Sequence, residues 1–166
     1  MIGTGPYDSL REYLEAIEEY GKLIRIDAID QDAYELTGFI YKLMDKYGWL
    51  GAPAVLVEKV KISGEWIDGP ILINQYGMTG HEALAVGVDP KEIDEYDHVL
   101  NYKKSLDKML QEVPIEAIKT TEVDPSNAPS KEVILNGDEI DILSFPFIQT
   151  NPADNGRFIN TGNLVT

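Results

Sequence analysis

The residues best suited to chemistry lie near the end of the chain, in the sequence Asp154-Asn155-Gly156-Arg157. Asn and Gly both tolerate unusual backbone angles, so this pair predicts a tight turn that brings Asp154 and Arg157 close together. A carboxylate and a guanidinium held by a turn could form part of a binding site. An ordinary surface turn with a local ion pair worth at most about 1 kcal/mol explains the same residues.

The chain has two histidines, His81 and His98. A lone histidine in a predicted helix, such as His98, is usually a surface or core-edge residue. His81 follows a glycine turn and could cap a helix or line a cleft. No spacing of histidines and acids matches a zinc motif, and the chain has no cysteine, so a self-contained zinc site is not expected.

Two further groups of residues have both a chemical and a structural interpretation. Asp138, Glu139 and Asp141 could bind a hard cation, although alternating acids in a strand usually form its solvent face. The glycine turn at residues 77–80 precedes a predicted helix, but its spacing matches neither phosphate-binding fingerprint. The residues alone therefore assign no catalytic residue and no metal ligand.

Helices and strands must position these residues, and the first helices have clear boundaries. Ser9 and Glu12 form an S-x-x-E capping box, which predicts a helix that ends at Gly21. Asp32 is the candidate cap of a second helix, which ends at Gly48. A third long helix is expected to open at residue 94 or 95.

The remaining sequence patterns predict strands, then a linker, and then a different pattern after the linker. β-branched runs at residues 53–60 and 70–74 predict buried strands, and Ser63-Gly64 predicts a turn after the first of them. Together with the helices, these strands indicate an α/β domain. Residues 124–130 are rich in turn formers and predict a linker that ends this domain. Asn136-Gly137 then predicts a hairpin between residues 132–135 and 138–142.

Composition limits the possible partners. The 166 residues carry 14 basic and 29 acidic side chains, which gives a net charge of −15. A surface this acidic repels phosphate backbones and anionic lipids, so neither nucleic acid nor a membrane is expected as a partner. With no apolar run of membrane-spanning length and no signal pattern at the start, the sequence predicts a cytoplasmic protein.

Over nearly its whole length the chain resembles the UbiD family of decarboxylases. Each matching motif is short, and their order along the chain makes the resemblance specific. The motifs are SLREYL from Ser9, GKLIRI from Gly21, PAVLVEKV from Pro53, PILINQYG from Pro70, LAVGV from Leu84, FP at Phe145 and DNGRFI from Asp154.

The resemblance implies both a fold and an activity. It implies an N-terminal α/β domain, residues 1–125, followed by the first strands of a β-barrel-like (split-barrel) cofactor domain, residues 126–166. Members of this family use prenylated FMN, with a divalent metal (Mn or Mg) at its phosphate, to remove carbon dioxide from aromatic or α,β-unsaturated acids, and some run in reverse. The chain would then be the N-terminal part or subunit of such a decarboxylase or carboxylase.

The resemblance assigns few residues. In the family, the strand after the acidic turn lines the cofactor region, and Asn160 and Thr161 occupy that stretch here, so they are the expected cofactor-binding residues. The family's metal-binding asparagine and catalytic glutamates lie further along, so no catalytic or metal-binding residue is expected, and the chain alone is not expected to hold the cofactor. Asn155 stands where the family usually has glycine, and asparagine still accepts a left-handed turn.

Other interpretations stay open at this stage. The chain could be a non-catalytic α/β module of this family that binds a partner, or an unrelated acidic enzyme that uses His81 with nearby acids. Residues 164–166 are typical of a strand with no turn after it, which favours completion by the remainder of the decarboxylase, in the same polypeptide or a separate subunit. A small carboxylic acid substrate and an oligomeric assembly are the other partners that the resemblance implies.

Overall fold

The computed structural model describes residues 3–92, 98–113, 116 and 119–157. Over these residues the α/β class predicted from the alternation of helices and strands is confirmed. The regular elements are α1 Leu10–Glu19, β1 Leu23–Asp30, α2 Glu35–Tyr47, β2 Ala54–Ile62, β3 Glu65–Ile73, α3 Thr79–Ala85 and α4 His98–Glu112. Short 3₁₀ helices occupy Pro90–Glu92, Pro125–Asn127, Pro129–Lys131, Gly137–Glu139 and Ile142–Ser144.

The three strands form one sheet in the order β1-β2-β3. β1 and β2 are parallel, with Leu23 opposite Ala54, and α2 lies between them in the chain. β2 and β3 are antiparallel, and a tight turn at Ser63 and Gly64 joins them, with φ values of 56° and 82°. The turn predicted at Ser63-Gly64 is therefore confirmed.

The larger part of the core packs between β2 and α2. Val55, Val57 and Val60 of β2 are fully buried, and Leu36 and Leu43 of α2 belong to the same cluster. Residues two apart on a strand share a face, so Val55 and Val57 direct their side chains to one side of the sheet. This alternation places α2 against that side.

A second cluster covers the opposite face of the sheet. Ala54 precedes Val55 and therefore points to the other side. It packs with Tyr13 and Ile17 of α1 and with Leu84 of α3, all of them buried. The first half of the central strand β2 is thus covered on both faces, which explains the unbroken apolar run at residues 54–57, all four of them buried.

Helix α1 begins and ends as its capping residues predict. Ser9 is the N-cap, and its hydroxyl accepts a hydrogen bond from the N–H of Glu12 at 3.2 Å. The Glu12 carboxylate accepts from the N–H of Asp8 at 3.1 Å instead of reaching Ser9. Gly21, with φ of 74°, follows the end of the helix.

Helix α2 begins differently from the prediction, although it ends at Gly48 as expected. Its N-cap is Tyr34, with φ of 55°, and not Asp32. The Asp32 carboxylate instead accepts hydrogen bonds from the N–H groups of Ser63 and Gly64, at 2.6 and 2.7 Å. Two converging main-chain donors in the β2–β3 turn satisfy this carboxylate better than the single donor bonded by an N-cap side chain.

The hairpin predicted around Asn136 and Gly137 is wrong. The N–H of Asn136 donates to the Glu139 carboxylate at 3.2 Å and closes a 3₁₀ turn. Asp141 starts the next turn by accepting from the N–H of Leu143 at 2.9 Å. These local side-chain bonds compete with a strand ladder, and the described residues from 119 onward contain no strand.

Helix α4 is described from His98, and its predicted start at residue 94 or 95 lies outside the described residues. It has 15 residues and packs against α3. Within the described ranges, no helix combines the length and apolar character needed to cross a membrane.

Candidate functional site

Four residues gather at the edge of the sheet where β1 and β2 end. Gln31 directly follows β1, and its N–H donates to the carbonyl of Lys61 at 3.1 Å. Asp32 is next in the chain, Thr37 lies in the first turn of α2, and Ser63 lies in the turn after β2. We call Gln31, Asp32, Thr37 and Ser63 the strand-end cluster. In open α/β sheets, ligands bind outside the carboxyl ends of parallel strands, so this edge is the candidate site.

Residues 149–154, which we call the acidic loop, are closed by their own hydrogen bonds. The Asp154 carboxylate accepts from the Thr150 hydroxyl at 3.2 Å and from the N–H of Asn151 at 3.0 Å. The Gln149 side-chain amide donates to the main-chain carbonyl of Asp154 at 2.9 Å. The loop therefore has an internal framework that does not depend on the rest of the chain.

The strand-end cluster holds the acidic loop through side chains. Nε2 of Gln31 donates to the main-chain carbonyl of Gln149 at 2.8 Å and to Oγ1 of Thr37 at 3.0 Å. The Thr37 hydroxyl donates in turn to the main-chain carbonyl of Thr150 at 2.9 Å. Ile148 packs against the core between β2 and α2. The bond from Gln31 to Gln149 spans 118 residues of sequence, and the bond from Thr37 to Thr150 spans 113.

The ion pair predicted between Asp154 and Arg157 is not formed. The Arg157 guanidinium donates to the main-chain carbonyl of Leu143 at 3.1 Å and to the Ser63 hydroxyl at 3.2 Å. Asp154 is meanwhile occupied within the acidic loop. Because guanidinium carries five donors in a planar fork, Arg157 bridges two segments of the chain at once. It is a second connection between the strand-end cluster and the end of the described chain.

The turn predicted at Asn155-Gly156 depends on glycine at one position. Gly156 has φ of 148°, a conformation that side-chain-bearing residues rarely adopt. No atom lies within 4 Å of the place that a Cβ at Gly156 would occupy. The requirement for glycine is therefore conformational and not a matter of space.

A groove of about 410 Å³ lies between α2 and the acidic loop. Its size is that of a small-ligand site, and most of its lining is apolar. Asp154 contributes a negative charge to this lining, which opposes the entry of a carboxylate ligand. The lining residues are Leu36, Thr37, Ile40, Tyr41, Met44, Trp49, Ile73, Ile148, Thr150, Asn151 and Asp154.

A smaller cavity of about 110 Å³ is lined by Gln31 and Arg157, among other residues. Gln31 is only 4% exposed, and its Oε1 has no hydrogen-bond partner in the described part of the chain. Buried polar atoms are rarely left unsatisfied. The cavity beside Gln31 is large enough to hold a water molecule.

The predicted cofactor-binding residues Asn160 and Thr161 lie outside the described residues, so their role stays a prediction. The proposed cation ligands Glu139 and Asp141 accept hydrogen bonds from main-chain N–H groups. Among the residues that the structure describes, no three His, Asp or Glu side chains are placed to hold a metal ion. The side chain of His98 also lies outside the described part.

His81 is a fully buried residue of α3. Burial lowers its pKa to about 4, and the nearby Lys22 charge acts in the same direction, while main-chain groups of Lys22 and Gln75 oppose the shift. Neither ring nitrogen has a partner at hydrogen-bonding geometry among the described residues. The imidazole is therefore neutral at pH 7 and part of the packed interior, and not a residue that lines an open cleft.

Sequence reasoning missed Gln31, Thr37 and Ser63. A glutamine after a strand, a threonine in a helix and a serine in a turn form no chemical motif. The one available signal was topological, because Gln31 and Ser63 directly follow β1 and the end of β2, which are parallel and end at the same edge.

Two family models match the chain. The 3-octaprenyl-4-hydroxybenzoate carboxy-lyase N-terminal domain matches residues 14–96, which is half of the chain. The chain belongs to the UbiD family. The 3-octaprenyl-4-hydroxybenzoate carboxy-lyase Rift-related domain matches residues 121–166, so the UbiD resemblance extends over the acidic loop and Arg157. No solved structure gives a significant match to the chain.

The UbiD family implies prenylated FMN and a divalent metal. The described residues do not by themselves make a site for either group. The carboxylates of Asp32, Asp141 and Asp154 already accept main-chain N–H groups, and the Arg157 guanidinium is engaged by Leu143 and Ser63. We therefore assign no chemical step to the described residues.

Proposed function

We propose that this chain is the N-terminal part, or a separate N-terminal subunit, of a prenylated-FMN-dependent decarboxylase or carboxylase. Its substrate would be an aromatic or α,β-unsaturated carboxylic acid. The observation that carries the proposal is the order of the two UbiD family matches, with the N-terminal domain at residues 14–96 and the Rift-related domain at residues 121–166.

We further propose that residues 1–125 form the α/β domain and that residues 126–166 begin a β-barrel-like cofactor domain. Exposed apolar side chains support the second part, since seven of them between residues 133 and 145 are 46% to 73% exposed. Side chains of this kind in such density are usually covered by another surface. They are Val133, Ile134, Leu135, Ile140, Ile142, Leu143 and Phe145. In this proposal the remainder of the decarboxylase covers them.

Asn160 and Thr161 are the proposed cofactor-binding residues of this chain. They follow Arg157, whose guanidinium is fixed to Ser63 and Leu143. A segment that starts from a fixed point can present its side chains reproducibly. In the complete enzyme the cofactor supplies the electron sink, and residues outside this chain supply the metal ligands and the acid–base groups.

The proposal also covers partners and location. The net charge of −15 opposes binding to nucleic acid and to anionic membranes. We also propose that the enzyme is cytoplasmic and works as an oligomer, with the remainder of the decarboxylase and a small acid substrate as its partners.

The deciding experiment is purification of the tagged chain from its own cells, with a flavin prenyltransferase co-expressed. We expect intact mass spectrometry to show additional polypeptide and the spectrum to show a flavin, whereas the 166-residue chain purified alone holds no stoichiometric flavin. Flavin and turnover on the isolated chain would refute the assignment as a part of a larger enzyme. An assembly that contains no flavin would instead indicate a non-catalytic module.

A matched pair of variants tests the assigned site. Asn160→Ala should lower the flavin retained by the assembly, because it removes a polar group from the proposed cofactor segment. Asn127→Ala makes the same change in the exposed turn Pro125–Asn127 and should retain as much flavin as the wild type. Equal retention by both variants would refute the assignment of Asn160.

A further inference from the structure

We propose that Gln31 and Thr37 are positioning residues that fix the acidic loop on the α/β domain. Through the loop they would set the point from which the segment carrying Asn160 and Thr161 leaves the domain. This inference rests on the proposed function for its link to the cofactor. Neither side chain is proposed to touch the cofactor or the substrate.

The direction of the hydrogen bonds supports this role. The Gln31 amide has two N–H donors, of which one is used on Thr37 and the other on the Gln149 carbonyl. The Thr37 hydroxyl has one hydrogen, which is used on the Thr150 carbonyl. Each donor therefore has a single partner, and two successive carbonyls of the loop are bound. Such a chain of bonds specifies one position of the loop.

The anchors themselves are rigid. Gln31 is 4% exposed, and its main-chain N–H is tied to Lys61 beside the sheet. Thr37 follows the fully buried Leu36 in the first turn of α2. Donors carried by packed elements hold their targets more accurately than donors carried by flexible loops.

The contacts point to positioning more than to global stability. The acidic loop keeps its shape through the bonds of Asp154, none of which involves Gln31 or Thr37. With fewer bonds to hold it, the loop should open locally more often when either anchor is removed, while the core between β2 and α2 stays intact. We therefore expect substitutions at Gln31 and Thr37 to change hydrogen exchange in the loop more than they change the free energy of unfolding.

The first test is hydrogen exchange in the isolated chain. Thr37→Val removes the hydroxyl at nearly constant volume, and we expect the N–H groups of Asn151, Ala153 and Asp154, which donate within the loop, to exchange roughly tenfold faster. Thr37→Ser keeps the hydroxyl and should restore slow exchange. Thr79→Val is the control for the same substitution, because the Thr79 hydroxyl has no partner among the described residues. Unchanged exchange in Thr37→Val would overturn the proposal.

The second test uses the flavin spectrum of the complete assembly. We expect Thr37→Val and Gln31→Met to shift the flavin absorbance or lower its occupancy, and Thr37→Ser and Thr79→Val to match the wild type. A flavin spectrum unchanged in Thr37→Val, despite faster loop exchange, would refute the positioning role. A wild-type assembly without flavin would refute the proposed function, and the exchange data would still decide whether these residues hold the loop.

Discussion

Asp32, Asp154 and Arg157 at the strand-end edge bind main-chain groups and do not pair with one another. Asp32 accepts two N–H groups of the β2–β3 turn, Asp154 accepts one, and Arg157 donates to a carbonyl. Hydrogen bonds to charged groups contribute about 1.5–3 kcal/mol, whereas exposed ion pairs contribute about 0–1 kcal/mol. This difference explains why Asp154 and Arg157 take separate partners.

Asp32 should be the most important of these side chains for stability. We expect Asp32→Ala to lower the free energy of unfolding by about 1–2 kcal/mol, because the N–H groups of Ser63 and Gly64 lose their acceptor. The control is Asp27→Ala, which removes an exposed acid of β1 and should change stability by less than about 0.5 kcal/mol. Urea unfolding measures both, and equal values would contradict the role of Asp32.

The buried imidazole of His81 should make stability depend on pH. Its pKa is about 4 in the folded chain, against an ordinary value of 6.5. Between these values the unfolded chain binds a proton that the folded chain does not. The stabilisation that depends on a neutral His81 is therefore fully present above pH 6.5. It is lost as the pH falls towards 4, and the free energy of unfolding drops by up to about 3 kcal/mol.

Comparison with His81→Leu isolates this contribution, because carboxylates elsewhere titrate in both proteins. We expect urea midpoints measured from pH 7 to pH 4 to fall more steeply in the wild type than in the variant. Parallel curves would show that His81 does not resist protonation in the folded chain.

Gly156 should matter more for activity than for stability. Gly156→Val forces a branched residue to adopt φ of 148°, with a local strain of about 1–3 kcal/mol. Because a loop relaxes and absorbs part of this strain, we expect the thermal midpoint to fall by only a few degrees, and turnover in the complete enzyme to fall at least about tenfold.

Gly38→Val is the matched control for this substitution. Gly38 lies in α2, and, as at Gly156, no atom lies within 4 Å of the place of a Cβ. The two sites therefore differ in backbone conformation and not in available space. Full turnover with an unchanged midpoint in Gly156→Val would show that this turn is not part of the functional site.

At the scale of elements, the sequence correctly predicted the helix ends and the turn that depend only on neighbouring residues. Ser9, Gly21 and Gly48 mark helix ends where expected, and Ser63-Gly64 makes the predicted turn. The hairpin at residues 132–142 failed because side-chain bonds within four residues close 3₁₀ turns there. A hairpin needs cross-strand partners in addition to a good turn, and a turn signal carries no information about them.

At the scale of the whole molecule, residues 124–130 should be the segment most open to proteolysis. They form short 3₁₀ turns in an exposed stretch with few apolar anchors. We expect trypsin to cut beside this segment, after Lys131, before it cuts within α4 at Lys103 or Lys108. Intact-mass analysis of a time course identifies the first cut. Earlier cleavage within α4 would contradict the proposed division near residue 125.

The candidate site could be predicted from the sequence only in part. The motif around Asp154 was visible because its residues are adjacent and match a family pattern. Gln31 and Thr37 were not visible, since their partners lie 118 and 113 residues away and are main-chain carbonyls, which every residue possesses. A bond to a main-chain carbonyl does not require a particular residue type at the acceptor position, so only the folded chain shows it.

The three-stranded sheet has a consequence for aggregation. β1 and β3 each pair only with β2 among the described residues, so each leaves one row of main-chain donors and acceptors unpaired. Such rows recruit strands from neighbouring molecules. Pro70 of β3 has no N–H to donate to an added strand, and prolines and charged side chains are the usual features that limit such pairing. We expect Pro70→Val to scatter more light than the wild type on prolonged incubation, because it restores a main-chain donor to β3.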